Sequence, residues 1–244
     1  MRLEAKVAVV TGSSSGIGEA IARAYAREGA RVVVTYNTKI EPAKSIASEI
    51  SAELVCHLDV RNRDSIRACF RSTFERYGKI DILVNNAGVN RTADFDKQTD
   101  EEWDEVLDID LKGPFRCCQE VLPFISNGGR IINIGSLSGE YGGPRTPSYA
   151  CAKMGLTALT HNVARFLGPR NICVNTLSPG VIGNEFTERT MSAAVKDTAL
   201  SLMLIKRFAR VDEMTGAAVF LASDESSYMT AQTISINGGA WVRA

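Results

Sequence analysis

The sequence predicts one α/β domain, a parallel doubly wound sheet with helices on both faces. Three observations carry this. Short β-branched and apolar runs alternate with amphipathic stretches from one end of the chain to the other, and the connections between them are short. The apolar runs are nearly continuous rather than alternating, as strands buried on both faces require. No linker, repeat, low-complexity run or second core interrupts 1–244.

The elements follow in order. The first strand is read at 6–10, then a glycine-rich turn and a helix over 17–28. Strands at 31–35 and 54–58 come next, and a helix over 64–77 leads to a strand at 80–84. A helix at 101–109, a strand at 130–134, a long helix at 149–167 and strands at 172–176 and 233–236 complete the pattern. The stretch 183–206 departs from it, mixing Met191, Leu200, Leu202, Met203 and Leu204 with polar residues. It follows a strand's carboxyl end, where ligands bind in open α/β sheets, so it reads as a substrate lid. A pair of ordinary surface helices is the alternative.

The 28 basic residues balance the 28 acidic ones, which gives no reason to expect nucleic acid or an anionic membrane as partner. No segment reaches the ~18–20 apolar residues that span a bilayer. The N-terminus runs into a strand without a signal-peptide pattern, so a cytoplasmic location is expected. The six cysteines (Cys56, Cys69, Cys117, Cys118, Cys151, Cys173) form no CxxC pair and read as buried thiols. His57 and His161 have no acidic companion at ligand spacing, so no metal site is expected.

The turn after the first strand is Thr11-Gly12-Ser13-Ser14-Ser15-Gly16-Ile17-Gly18. Gly12 permits a tight exit from the strand, Gly16 lets backbone approach a pyrophosphate, and Gly18 lets the helix pack closely on the sheet. The helix N-terminus offers unpaired N–H groups to phosphates. This TGxxxGxG spacing resembles the short-chain dehydrogenase/reductase family. The resemblance continues, in family order, at Asn85-Asn86-Ala87-Gly88, at Ser136, at Tyr149-Ala150-Cys151-Ala152-Lys153, at Ser178-Pro179-Gly180 and at Asn237-Gly238-Gly239. In texture the chain is similar to 3-oxoacyl-carrier-protein-reductase-like and glucose-dehydrogenase-like members. The resemblance implies a Rossmann-type seven-stranded sheet, order 3-2-1-4-5-6-7, and a nicotinamide cofactor. It also implies adenine recognition by Asp59 beside Val60, and a place for Asn86, Ala87 and Gly88 at the ribose. For Asn86 a purely structural role is an equal alternative.

A carboxylate after the second strand binds a ribose 2′-hydroxyl and repels a 2′-phosphate. Here that position is Tyr36, followed by Asn37, Thr38 and Lys39, so the NAD-selecting acid is absent. With Ser13, these polar groups can bind a phosphate, and NADP(H) is expected, with NAD(H) as the second possibility.

Tyr149 and Lys153 lie four apart on one predicted helix face. A free tyrosine is a poor acid/base at neutral pH, and a neighbouring ammonium favours its phenolate. Tyr149 is thus read as the proton donor in carbonyl reduction and the base in the reverse step. The resemblance implies that Lys153 also holds the nicotinamide ribose. Ser136 stands thirteen residues before Tyr149, where its hydroxyl can stabilise a developing alkoxide, with Ser138 as rival. Relatives usually carry asparagine, the family's fourth catalytic residue, where this chain has Asp110. A retained but retuned proton relay behind Lys153 is expected. After Pro179 and Gly180, Ile182 is expected to meet the carboxamide and Asn184 to replace the usual threonine. Relatives have glycine at Ala231.

The expected function is reduction of a ketone, such as a 3-oxoacyl thioester on a carrier protein, by a homotetramer. A non-catalytic nucleotide-binding regulator, or an epimerase or dehydratase on the same fold, are the alternatives. Arg165 and Arg170, and separately Lys206, Arg207 and Arg210, are candidates for a carrier-protein dock. The helix before Gly128 with Cys117-Cys118 resembles a subunit-contact helix.

Overall fold

The computed structural model describes residues 1–183, 187 and 191–241. Its strands are β1 (Val7–Val10), β2 (Arg31–Tyr36), β3 (Leu54–His57), β4 (Ile80–Asn85), β5 (Ile125–Ile134), β6 (Cys173–Pro179) and β7 (Thr233–Ile236). They form one seven-stranded sheet in the order β3-β2-β1-β4-β5-β6-β7, with every pair parallel.

Successive strand residues alternate between two apolar layers, which is why the runs are continuous in sequence. Val9, Val33, Leu83, Ile131 and Val174 face one layer. That layer includes α3 (Arg63–Tyr77), α5 (Lys112–Glu120) and α7 (Pro147–Leu167). Ala8, Val10, Val32, Ile82, Val84 and Ile132 face the other, against α1 (Gly16–Arg27) and the helix Thr215–Ala222.

Several boundaries differ from expectation. A helix α2 (Ile40–Glu49) lies between β2 and β3, where none was read. β5 begins at Ile125 rather than 130, because the Asn-Gly-Gly segment at 127–129 makes a register irregularity against Ile80 and Ile82 instead of ending the strand. α4 (Asp100–Asp110) starts on a capping box between Thr99 and Glu102. It breaks at Leu111 (φ −119°, ψ −54°), where α5 takes over. The side chains of Cys117 and Cys118 face the core, whereas Phe115 of the same helix is exposed. Of the six cysteines Cys151 alone is exposed.

Ala231 has φ 58°, the left-handed region that glycine adopts freely. The conformation is held by its amide donating to the Val174 carbonyl (2.8 Å) and by Gln232 N donating to Asn175 Oδ1 (3.0 Å). Glycine would adopt this conformation without the penalty that a Cβ carries.

Candidate active site

The carboxyl ends of β1, β4, β5 and β6 meet at one edge of the sheet, and the loops leaving them build the site. Thr35 of β2 pins the glycine turn. Its Oγ1 accepts from Gly12 N (2.9 Å) and donates to Val10 O (2.8 Å), while its own amide donates to Ser13 Oγ (2.8 Å). Thr11 Oγ1 accepts from the amides of Asn86 and Ala87 (both 2.9 Å), and the Asn86 side-chain amide donates back to Thr11 O (2.9 Å). A side chain at Gly18 would lie 2.4 Å from Asn86 Nδ2 and 2.5 Å from Gly12 O, so only glycine lets α1 approach this closely. Gly16 has φ 58° and open space where a Cβ would stand, above the first turn of α1. A pyrophosphate would fit there against free N–H groups.

Two cavities open on this edge. One, of about 620 Å³, is lined by Gly12, Ser14, Ser15, Asn37, Thr38, Lys39, Asp59, Val60 and Arg61, among others. The other, about 520 Å³, contains Ser136, Tyr149, Lys153, Asp110, Pro179, Gly180 and Ile182. Ile17, Asn86, Gly88 and Val89 line both, so together they make one continuous trough. Its length and polarity suit a dinucleotide, with the reacting half over Tyr149 and the adenosine half over Asp59.

Not every expected cofactor residue reaches the trough. Ser13 is fully buried with its hydroxyl accepting from Thr35, so it lies on the wrong side of the turn for a phosphate. Tyr36 packs edge-on against His57, with ring centroids 5.6 Å apart, and does not line the cavity. Gly18 serves packing. Asn86 does both jobs, clamping the turn while lining the cavity. Asn184 lies outside the described residues.

Arg61 is a lining residue that the sequence reading missed. Its guanidinium donates to Asp59 Oδ1 (3.0 Å) and Oδ2 (2.9 Å), which holds the Asp59 carboxyl below the usual carboxylate range. The only signal was proximity: Arg61 N donates to Asp59 Oδ1 in an Asx turn. Asn90 and Arg91 also line the reacting half. Gln98 ties the loop after β4 to α7, accepting from Ser148 N (3.0 Å) and donating to Arg91 O (3.3 Å).

α7 carries Tyr149 in its first turn and Lys153 one turn on. Buried bonds from Asn133 Nδ2 to Thr160 Oγ1 and between Thr160 and Thr176 (2.8 Å each) lock this helix to β5 and β6. Ser136 caps the short helix α6 (Leu137–Tyr141), its Oγ accepting from Ser138 N (3.1 Å), so its proton stays free to be donated into the cavity. Ser138 does not line that cavity.

Lys153 is 5% exposed and donates to Ile134 O (3.0 Å). Its Nζ stands 3.1 Å from Asp110 Oδ2 and 5.4 Å from the centre of the Tyr149 ring. Asp110 is fully buried, and its Oδ1 accepts from Val89 N (2.8 Å). A Cβ at Gly88 would lie 2.6 Å from Asp110 Oδ2, so Gly88 makes the room for this carboxylate. Burial works against the Lys153 ammonium, but the carboxylate of Asp110 and then Tyr149 outweigh it and raise the lysine above its ordinary range. Burial pushes the Asp110 carboxyl up, and Lys153 opposes that push. At this distance each group favours the charged form of the other, against the burial that opposes both charges.

The carrier-dock candidates are mostly engaged within the chain. Arg170 donates to Leu122 O, Ile125 O and Asn127, Arg207 pairs with Glu213, Arg210 with Asp212, and Lys206 donates to Ser201 O. Among the described residues no group of three metal-ligating side chains converges and no helix is long and apolar enough to cross a membrane.

A glycine turn opening a helix at the carboxyl edge of the sheet, with a buried lysine beside a tyrosine and a serine, is the arrangement of a nucleotide-dependent oxidoreductase. A family model described as "Enoyl-(Acyl carrier protein) reductase" matches residues 12–240. The 3-oxoacyl-[acyl-carrier-protein] reductase of Thermotoga maritima is 38% identical across 98% of this chain and 99% of that protein. A short-chain dehydrogenase/reductase from Serratia marcescens superposes with a TM-score of 0.92 at 33% identity, covering 98% of this chain and 99% of that one. A gluconate 5-dehydrogenase from Burkholderia cenocepacia, in complex with NADP and tartrate, gives 0.91 at 32% identity, covering 98% and 96%. The chain belongs to the short-chain dehydrogenase/reductase family, as an NAD(P)-dependent ketoreductase.

Proposed function

We propose that the chain reduces 3-oxoacyl thioesters presented on an acyl carrier protein, using NADPH. The observation that carries the chemistry is the convergence of Ser136, Tyr149 and Lys153 on the trough's reacting half. Bound there, the reduced nicotinamide supplies a hydride for the carbonyl carbon. Ser136 donates a hydrogen bond to the carbonyl oxygen, and Tyr149 Oη gives that oxygen its proton as the alkoxide develops. Lys153 holds the ribose side of the trough and stabilises the charge left on Tyr149. The Thermotoga relative's name supports the substrate class.

The cofactor choice rests on the adenosine half. Its lining acid, Asp59, is neutralised by Arg61, while Asn37, Thr38 and Lys39 are exposed to the cavity. A 2′-phosphate meets no free carboxylate among the described lining residues. In this reading the lid falls within 183–206, of which 184–186 and 188–190 lie outside the described residues, and its helix α8 (Ala193–Leu202) runs into exposed Leu202, Leu204 and Ile205. A homotetramer would cover the exposed Phe115 of α5 and the exposed Met154 and Phe166 of α7, and the cytoplasm is the expected location.

The test is NADPH consumption with a 3-oxoacyl thioester, beside NADH and beside the matching 2-enoyl thioester. Turnover of the oxo substrate that is faster with NADPH supports the proposal. Turnover of the enoyl substrate alone, the reading the family model's description would favour, overturns it.

A further inference from the structure

We propose that Asp110 is a positioning residue that sets the pH range of proton delivery: its carboxylate offsets the Lys153 ammonium and keeps the Tyr149 hydroxyl protonated further into alkaline pH. The inference rests on the reading of Tyr149 as proton donor. It concerns the buried carboxylate that closes α4 behind Lys153.

The geometry is specific. Asp110 closes α4, is fully buried, and faces two polar partners, Val89 N through Oδ1 and Lys153 Nζ through Oδ2 at 3.1 Å. Lys153 in turn faces Asp110 from α4, the Ile134 carbonyl from β5 and Tyr149 from its own helix. Among the described residues no other titratable group contributes charge to either member of the pair. An ammonium alone beside Tyr149 draws the tyrosine toward phenolate, which cannot donate. A carboxylate 3.1 Å behind the ammonium turns that point charge into a short dipole, whose field falls away faster with distance.

The reduction step consumes one hydride at carbon and one proton at oxygen. The Tyr149 O–H bond breaks as the new alcohol O–H bond forms, and the phenolate regains its proton from water. What Asp110 adjusts is the pH at which that hydroxyl is available.

Asp110→Asn removes the charge while keeping side-chain shape and an acceptor for the Val89 amide. The experiment is the pH profile of kcat for ketone reduction and for the reverse alcohol oxidation, in wild type and Asp110→Asn. Both the alkaline limb of reduction and the acid limb of oxidation should move to lower pH by about one unit, a tenfold change in proton occupancy. They should move together, because they report one group. Superimposable profiles in an active wild type and variant, or limbs displaced upward, overturn the inference alone. A wild type that turns over no ketone overturns the functional reading and this inference with it. If the variant does not accumulate, the carboxyl carbon-13 resonance of Asp110 in wild type decides. An ionised carboxylate at neutral pH supports the proposal and a protonated acid overturns it.

Discussion

Replacing Lys153 by methionine strips Asp110 Oδ2 of its cation and leaves the carboxylate fully buried with one hydrogen bond, from Val89 N. At 3.1 Å and an effective dielectric of about 20 the lost attraction is about 5 kcal/mol before desolvation is counted. Removing one member of a buried pair costs about 3–5 kcal/mol in general, whereas replacing both is close to neutral. Lys153→Met should therefore lose about 3–5 kcal/mol of unfolding free energy at neutral pH, and Asp110→Asn/Lys153→Met should recover to within about 1–2 kcal/mol of wild type. In Lys153→Met the folded carboxyl binds its proton more readily than the unfolded one. Its penalty is therefore absent below the unfolded carboxyl range and grows as pH rises through the folded value, so mild acid should rescue the variant. Guanidinium unfolding of cofactor-free protein at fixed protein concentration, read by circular dichroism, measures all four corners of the cycle. Additive losses, or a Lys153→Met penalty below about 1 kcal/mol, would refute the ion-pair description.

Gly18→Ala places a methyl group 2.4 Å from Asn86 Nδ2 and 2.5 Å from the Gly12 carbonyl, which is backbone. It should cost about 1–3 kcal/mol and weaken cofactor binding at least about tenfold, measured by denaturation and by nucleotide fluorescence titration. Ala231→Gly relieves a left-handed alanine at φ 58°; it should leave stability unchanged or raise it by up to about 1 kcal/mol, against the loss expected of a glycine elsewhere. Glu28, held down to about 2 by its hydrogen bonds from Arg2, contributes stability present above the ordinary carboxylate range and lost as pH falls toward about 2. Glu28→Gln should flatten that part of the acid unfolding curve.

Much of this site is legible in the sequence, for a physical reason. Tyr149 and Lys153 meet because helical spacing alone brings residues four apart onto one face, and the glycine turn declares itself because backbone conformation restricts residue choice. What was not legible depended on contacts between distant segments. Ser13 looked like a phosphate ligand, yet Thr35, from the neighbouring strand, turns its hydroxyl inward. Arg61 joined the adenosine cavity only through the fold-back at Asp59. In the fold, β5 reaches back through Gly128 and Gly129 to Ile125, five residues before the apolar run read as its start, and α2 carries only three buried residues, Ala43, Ile46 and Ala47, too weak a stripe to read.

The central claim, that Tyr149 delivers the proton in ketone reduction, is tested most directly by Tyr149→Phe assayed with NADPH and a 3-oxoacyl thioester. The account predicts turnover reduced by at least about 100-fold, with NADPH affinity within about twofold of wild type. Turnover close to wild type with cofactor affinity intact would contradict it.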